Sequence, residues 1–260
     1  MTNYKLIIRY DGTGYRGWEH QPGEEKTIQG KMETAVIRML NPSGEGNGDS
    51  LGSFKGDIPD IISAGRTDSG VHALAMVANV KLDTGLSCKE IRDGINRNLP
   101  DDICVTEVSV AGDRFHARYN ATGKTYRYTC YAGELKPVFD RRFCYDLGKC
   151  PDIEAMKKAA TILEGEHDFT SFCGNPRMKK SCVRTVDKIT IEYKDDYLTL
   201  TYHGNGFLQY MVRIMTGTLL EVGQGKRTPE SVAELFETLD RSKAGFTAPA
   251  RGLALVEVDY

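Results

Sequence analysis

Ile61-Ile62-Ser63-Ala64-Gly65-Arg66-Thr67-Asp68-Ser69-Gly70-Val71-His72-Ala73-Leu74-Ala75-Met76-Val77-Ala78-Asn79-Val80-Lys81-Leu82 places a polar loop between two apolar runs. The first run predicts a short strand over Ile61–Ala64 and the second a longer one over Leu74–Leu82. Continuous apolar runs bounded by Gly, Ser and Asp are strands buried on both faces. Arg66, Asp68 and His72 therefore lie at strand ends, where a rigid scaffold can present functional groups.

Working outward, Tyr4–Tyr10 alternates, with Leu6, Ile8 and Tyr10 on one side and Lys5 and Arg9 on the other, as in a half-buried strand. Thr27 caps a helix carrying Ile28, Met32, Ala35, Val36 and Met39 at helical spacing. Asn41–Pro59, rich in Gly, Ser, Asn and Asp, reads as a mobile acidic insertion. Ser87-Cys88-Lys89-Glu90 is a capping box opening a helix with Ile91 and Ile95 inward, and Ile103–Val110 is the next strand. The second half repeats this rhythm. It has a strand at Thr125–Tyr131, a helix from Asp152, strands at Val183–Tyr193 and Tyr197–His203, and an apolar helix over Phe207–Val222. A helix opened by Pro229 and ending near Leu239 follows, then a last strand over Leu253–Val258. The expectation is an α+β protein of two similar α/β halves, 1–110 and 111–260, sharing a largely antiparallel sheet.

The 260 residues hold 34 Lys+Arg against 36 Asp+Glu, so the net charge of −2 argues against a protein that coats nucleic acid or membrane wholesale. No apolar run is long enough to span a bilayer, and Lys5 and Arg9 interrupt the N-terminal apolar stretch where a signal peptide has none. Seven scattered Cys without a Cys-x-x-Cys pair predict neither a zinc site nor a disulfide framework, and point to a reducing, cytoplasmic setting. The charge is uneven, however. Residues 111–150 hold eight Lys/Arg against four Asp/Glu, and residues 174–194 hold six against two. The first of these segments interleaves Phe115, Tyr119, Tyr126, Tyr128 and Tyr131, a mixture suited to phosphate contact and base stacking in RNA.

Three constellations carry chemistry. Gly12-Thr13-Gly14-Tyr15-Arg16-Gly17 fits G-x-G-x-x-G after a strand, but no helix follows the third glycine, as a dinucleotide site requires. It reads instead as a loop holding Tyr15, Arg16 and Trp18 near a site. Asp68-Ser69-Gly70 resembles an aspartic-protease tripeptide, yet Arg66 beside Asp68 favours an ionised carboxylate, which suits a nucleophile or base and not a proton-sharing dyad. The spacing leaves open whether Asp68 pairs with His72. Arg213, inside Met211-Val212-Arg213-Ile214-Met215, is a cation in an apolar helix that needs a carboxylate, and Asp68 is the candidate.

Gly65-Arg66-Thr67-Asp68-Ser69-Gly70-Val71-His72-Ala73 resembles the signature G-R-T-D-x-G-V-H-A of the TruA family of tRNA pseudouridine synthases. Further ordered motifs agree: Tyr10–Trp18, Thr27–Gly30, Asn96–Ile103, Phe115–Arg118, Lys124–Tyr128, Gly165–Phe172, Phe207–Arg213 and Ala248–Leu253. The resemblance implies conversion of uridine to pseudouridine in the tRNA anticodon stem–loop, at positions 38 to 40, by a homodimer without metal or cofactor. It implies that Asp68 is the nucleophile, with Arg66 in the same loop, Tyr126 stacking on the target base, Arg213 pairing with Asp68 and Leu253 lining the pocket. Arg16 and Trp18 complete the candidate substrate-binding set, and a basic cleft is expected between the halves. Two positions depart from the pattern: Glu19 replaces the usual Gln, and Ile214 follows Arg213 where many members have Asn. These departures leave room for a paralogue acting on another RNA, such as ribosomal RNA. A non-catalytic RNA-binding protein is the other alternative, against which the intact Asp68, Arg66, Tyr126 and Arg213 argue.

Overall fold

The computed structural model describes residues 1–21, 26–41 and 58–260, so most of the acidic Asn41–Pro59 segment lies outside the described residues. The fold is α/β, built on a large mixed sheet. Two compact units are present. One comprises Met1–Ala121 with Leu255–Val258 and Tyr260, the other Thr122–Ala254 with Asp259.

In the first unit, β1 (Thr2–Tyr10) is followed by α1 (Ile28–Leu40), β2 (Ile62–Ser63), β3 (His72–Leu82), α2 (Cys88–Arg97) and β4 (Ile103–Val110). β1 lies antiparallel between β3 and β4, with Leu6 opposite Ala78 on one side and Val108 on the other. Its alternation sends Tyr4, Leu6, Ile8 and Tyr10 into the core. Both helices start where their caps dictate: Thr27 accepts from the Gly30 N–H, and Ser87 and Glu90 form the reciprocal box. Two buried amides hold the unit's far edge. Asn79 donates to Asn3 at 3.1 Å, Asn3 donates to the Gly112 and Phe115 carbonyls, and Asn79 accepts from the Ala117 N–H. With their hydrogen bonds met, these polar side chains stabilise one register where unmet ones would be costly.

The second unit runs through β5 (Gly123–Tyr131), β6 (Tyr145–Asp146), α3 (Ile153–Leu163), β7 (Gly165–Asp168), β8 (Val183–Lys194), β9 (Tyr197–Gly204), α4 (Met211–Gly223) and α5 (Glu234–Thr238). The last strand, β10, spans Leu253–Asp259. Strands β5, β9, β8 and β7 follow one another antiparallel, and the short β6 adds to β5 in parallel. Asp195 and Asp196 both have positive φ, the backbone of a two-residue type I′ hairpin between β8 and β9. Tyr202 on β9 shares a buried hydrogen bond with Thr216 on α4, and Thr218 accepts from the Gly245 N–H.

Two expectations are corrected, and two short strands are added. The helix read from Phe207 begins at Met211, because Tyr210 takes a left-handed conformation with φ of 61° that no helix can propagate through. The segment after Pro229 is a 3₁₀ turn over Glu230–Val232 followed by the five-residue α5, stopped by Leu239 at φ of 49°. Strands β6 and β7 were not anticipated, being too short to show an alternation.

Candidate active site

Asp68 stands at the first position of a tight turn. The Val71 N–H reaches back to the Asp68 carbonyl at 3.1 Å, and Gly70 supplies the positive φ of 79° that the third position of such a turn requires. This turn is fixed from the outside by the loop that ends β1. Thr67 is held twice: its hydroxyl shares a buried hydrogen bond with Tyr10, and its carbonyl accepts from the Trp18 N–H at 3.1 Å. On the other side of Asp68, the Ser69 hydroxyl and the Gly70 N–H both donate to the Tyr15 carbonyl. The approach is so close at Gly12 that a Cβ there would fall 2.0 Å from the Val71 carbonyl oxygen, so only glycine fits. The glycine-rich loop is thus a brace for the Asp68 turn: Gly12 packs on Val71 and Gly17 on Thr67, whereas the space around Gly14 is open.

A third stretch closes this frame. Asp102, in the Asn96–Ile103 motif, accepts the Asp11 N–H through its carbonyl and the Tyr15 hydroxyl through its carboxylate at 2.5 Å. Burial, with Asp102 adding to it, pushes the Tyr15 phenol far above its ordinary range, so it remains a hydrogen-bond donor. Asn96 anchors the same stretch by exchanging two hydrogen bonds of 2.8 Å with the Val105 backbone.

Among the sequence candidates of this unit, Asp68 is half-buried, and Arg66 and Arg16 are exposed. Trp18 is 2 % exposed and packs against Tyr10 with ring centroids 6.1 Å apart. The carboxylate that Arg66 meets is Glu19, one of the two positions that depart from the resembled pattern. His72 is buried, and its Nδ1 accepts the Gly12 N–H at 3.0 Å.

Of the second unit's candidates, Arg213 meets the 248–253 segment, Leu253 belongs to it and Tyr126 packs on Phe207. Arg213, half-buried in the first turn of α4, donates from Nε to the Ala248 carbonyl at 2.7 Å, and the Ala248 N–H returns to the Arg213 carbonyl. Its guanidinium lies over the ring of Tyr210, 5.0 Å from the centroid, and Tyr210 has the left-handed φ of 61°. Tyr128 on β5 donates to the Pro249 carbonyl at 2.7 Å, and Leu253, 4 % exposed, follows at the start of β10. Tyr126, two residues before Tyr128 on the same strand, is half-buried and meets Phe207 edge to face at 5.3 Å. An α4 terminus and a strand of the sheet thus hold Arg213 and Tyr126 on rigid elements.

Sequence reasoning missed the Glu19–Arg66 pair and the His72–Gly12 bond, because each joins loops far apart in the chain. Among the described residues no three His, Cys, Asp or Glu side chains group so as to hold a metal ion, and no helix is long and apolar enough to cross a membrane. All seven cysteines are free thiols.

The chain was compared with known proteins. A family model described as tRNA pseudouridine synthase matches residues 6–120 and 159–260. A tRNA pseudouridine synthase A of Bacillus sp. (strain KSM-64) is 44 % identical over 260 residues, covering 100 % of both chains. One from Geobacillus sp. (strain WCH70) is 41 % identical over 256 residues, with 98 % of this chain and 97 % of the relative covered. One from Acetivibrio thermocellus is 40 % identical with both chains fully covered.

Proposed function

The chain belongs to the tRNA pseudouridine synthase A family, and from that we propose how its own residues isomerise uridine to pseudouridine in tRNA. The reaction breaks the bond between ribose C1′ and N1 of the base and joins C1′ to C5. C5 loses a proton and N1 gains one. Nothing is oxidised or reduced, so what the protein must supply is a nucleophile, charge stabilisation and containment of the loosened base.

Asp68 is the nucleophile. The observation that carries this assignment is the bracing of its turn on both flanks, at Thr67 and at Ser69–Gly70, by the Tyr10–Trp18 loop. A carboxylate held to within a fraction of an ångström is what an attacking group needs. Arg213 pairs with Asp68 and keeps it ionised, while Tyr126 stacks on the extruded uracil and Leu253 lines its pocket. Extruding a base from a stem costs a few kcal/mol, which such a stacking partner offsets. Arg66 belongs to the same active loop. Arg16, exposed on the Gly loop, reaches the RNA backbone, and Trp18 secures that loop from beneath.

The division of labour follows the two halves, 1–110 carrying the Asp68 loop and 111–260 carrying Tyr126 and Arg213, with the basic segments 111–150 and 174–194 receiving tRNA in the cytoplasm. The targets are uridines 38 to 40 of the anticodon stem–loop. The working form is a homodimer, supported by an exposed apolar loop in which Leu135 is 78 %, Val138 59 % and Phe139 92 % exposed. Incubation with unmodified tRNA followed by pseudouridine mapping tests the target. Conversion confined to those uridines is expected, and conversion elsewhere contradicts it. Sedimentation of the same preparation as a monomer would remove the dimer from the account.

A further inference from the structure

His72 has no role in the chemistry just described, yet it is 4 % exposed at the head of β3, four residues beyond Asp68. Two groups approach its Nδ1: the Gly12 N–H at 3.0 Å and the Asp11 Oδ1 at 3.2 Å. These make opposite demands, since the amide needs a bare nitrogen and the carboxylate needs a protonated one. The amide decides it. A backbone N–H cannot give up its proton, whereas Asp11 Oδ1 already accepts from the Thr13 N–H at 2.9 Å and the Thr13 hydroxyl at 2.6 Å. Nδ1 is therefore an acceptor and the ring proton sits on Nε2.

The consequence runs through Gly12. This residue has no room to shift toward the Asp68 loop, because the Val71 carbonyl fills the space where its Cβ would be. The bond from His72 prevents it from shifting away. Gly12 also begins the 3₁₀ turn Gly12–Gly14, whose Gly12 carbonyl accepts the Tyr15 N–H. Tyr15 in turn supplies the carbonyl that receives both Ser69 and Gly70. A chain of hydrogen bonds thus leads from the His72 ring through Gly12 and Tyr15 back to the residues that follow Asp68.

We propose that His72 is a positioning residue for the isomerisation: by accepting the Gly12 N–H at Nδ1 it locks the glycine loop onto the turn that aims Asp68. This rests on the reading of Asp68 as nucleophile. It specifies that the imidazole acts as a neutral acceptor, with no proton transfer to the substrate.

The test uses two amides that differ in reach. In His72→Asn the side-chain oxygen occupies nearly the position of Nδ1, and in His72→Gln it lies one carbon farther out, near Nε2. Both bury a neutral amide, so a general cost of replacing a core histidine falls on each. His72→Asn is expected to keep kcat close to that of the unaltered protein. His72→Gln is expected to lose about a hundredfold in kcat, the scale of a misaimed reacting group, with KM and tRNA affinity little changed. Equal kcat in the two variants, or losses that track the melting temperature, would overturn the proposal. Asp68→Asn assayed beside them separates the two ideas: turnover by that variant removes the nucleophile, whereas the Asn/Gln contrast decides the clasp. Nitrogen NMR of the unaltered, histidine-labelled protein at neutral pH gives an answer independent of folding in the variants. His72 is expected as the Nε2–H tautomer, and an Nδ1–H tautomer or an imidazolium would also overturn the proposal.

Discussion

Arg213 shows how much of the site rests on the shape of a single side chain. Its Nε is committed to the Ala248 carbonyl and its plane lies on Tyr210, which leaves the terminal nitrogens of the fork as its means of meeting a carboxylate. A lysine carries the same charge, but it has neither a plane to stack nor a second donor in fixed geometry. Arg213→Lys is therefore expected to lose about a hundredfold in kcat while the protein folds normally, as judged by its melting temperature. Near-normal turnover would argue against a paired role. Arg213 stands out in the sequence because its neighbours Met211, Val212, Ile214 and Met215 are all apolar, and the structure holds it half-buried against the Ala248 carbonyl. Asp68 stands out in the sequence because it sits between strands beside Arg66, and the structure places it half-buried in the turn before β3. The salt bridge from Arg66 to Glu19 was not legible, since no local pattern joins the Gly loop to the Asp68 turn; the hydrogen bonds at Thr67, Ser69 and Gly70 and the packing of Gly12 on Val71 bring the two loops together.

At the level of elements, strands and caps were readable and irregular joints were not. Alternation located β1 and β4, and the Thr27 and Ser87 caps marked the first residues of α1 and α2. The Phe207–Val222 run reads as one helix because apolar spacing continues through Phe207 and Leu208, but Tyr210 is left-handed and the helix starts only at Met211. A second irregularity has a measurable effect. The register shift between Val186 and Lys188 in β8 leaves Asp187 beside His203 of β9, whose ring meets Asp259 at 3.0 Å and Asp187 at 2.8 Å. The Asp259 hydrogen bond above all, with Asp187 assisting and burial opposing, raises the His203 pKa above its ordinary value. The folded state thus holds this proton more tightly than the unfolded chain does. The resulting stability is fully present below about pH 6.5 and is lost as pH rises through the raised folded value. The melting-temperature advantage of the unaltered protein over His203→Gln is expected to be larger in mildly acid than in alkaline buffer. With the ring part-exposed the effect is small, and a constant advantage across that range would contradict it.

For the molecule as a whole, a net charge of −2 misleads about its partner. The acidic residues of 41–60 offset the total, while residues 111–150 and 174–194 each carry an excess of four positive charges. RNA phosphates respond to that local field within a Debye length of about 8–10 Å and not to the average. Binding to tRNA is accordingly expected to weaken by about a thousandfold between roughly 50 and 200 mM salt, in spite of the acidic total. A flat salt dependence would show that the basic segments do not meet the RNA. The proposed reaction turns on one carboxylate set in a braced turn, and the most direct measurement is the single-turnover conversion of unmodified tRNA by Asp68→Asn. Pseudouridine is expected from the unaltered protein and none from the variant, with tRNA affinity retained in both. Conversion by the variant at an undiminished rate would contradict the account at its centre.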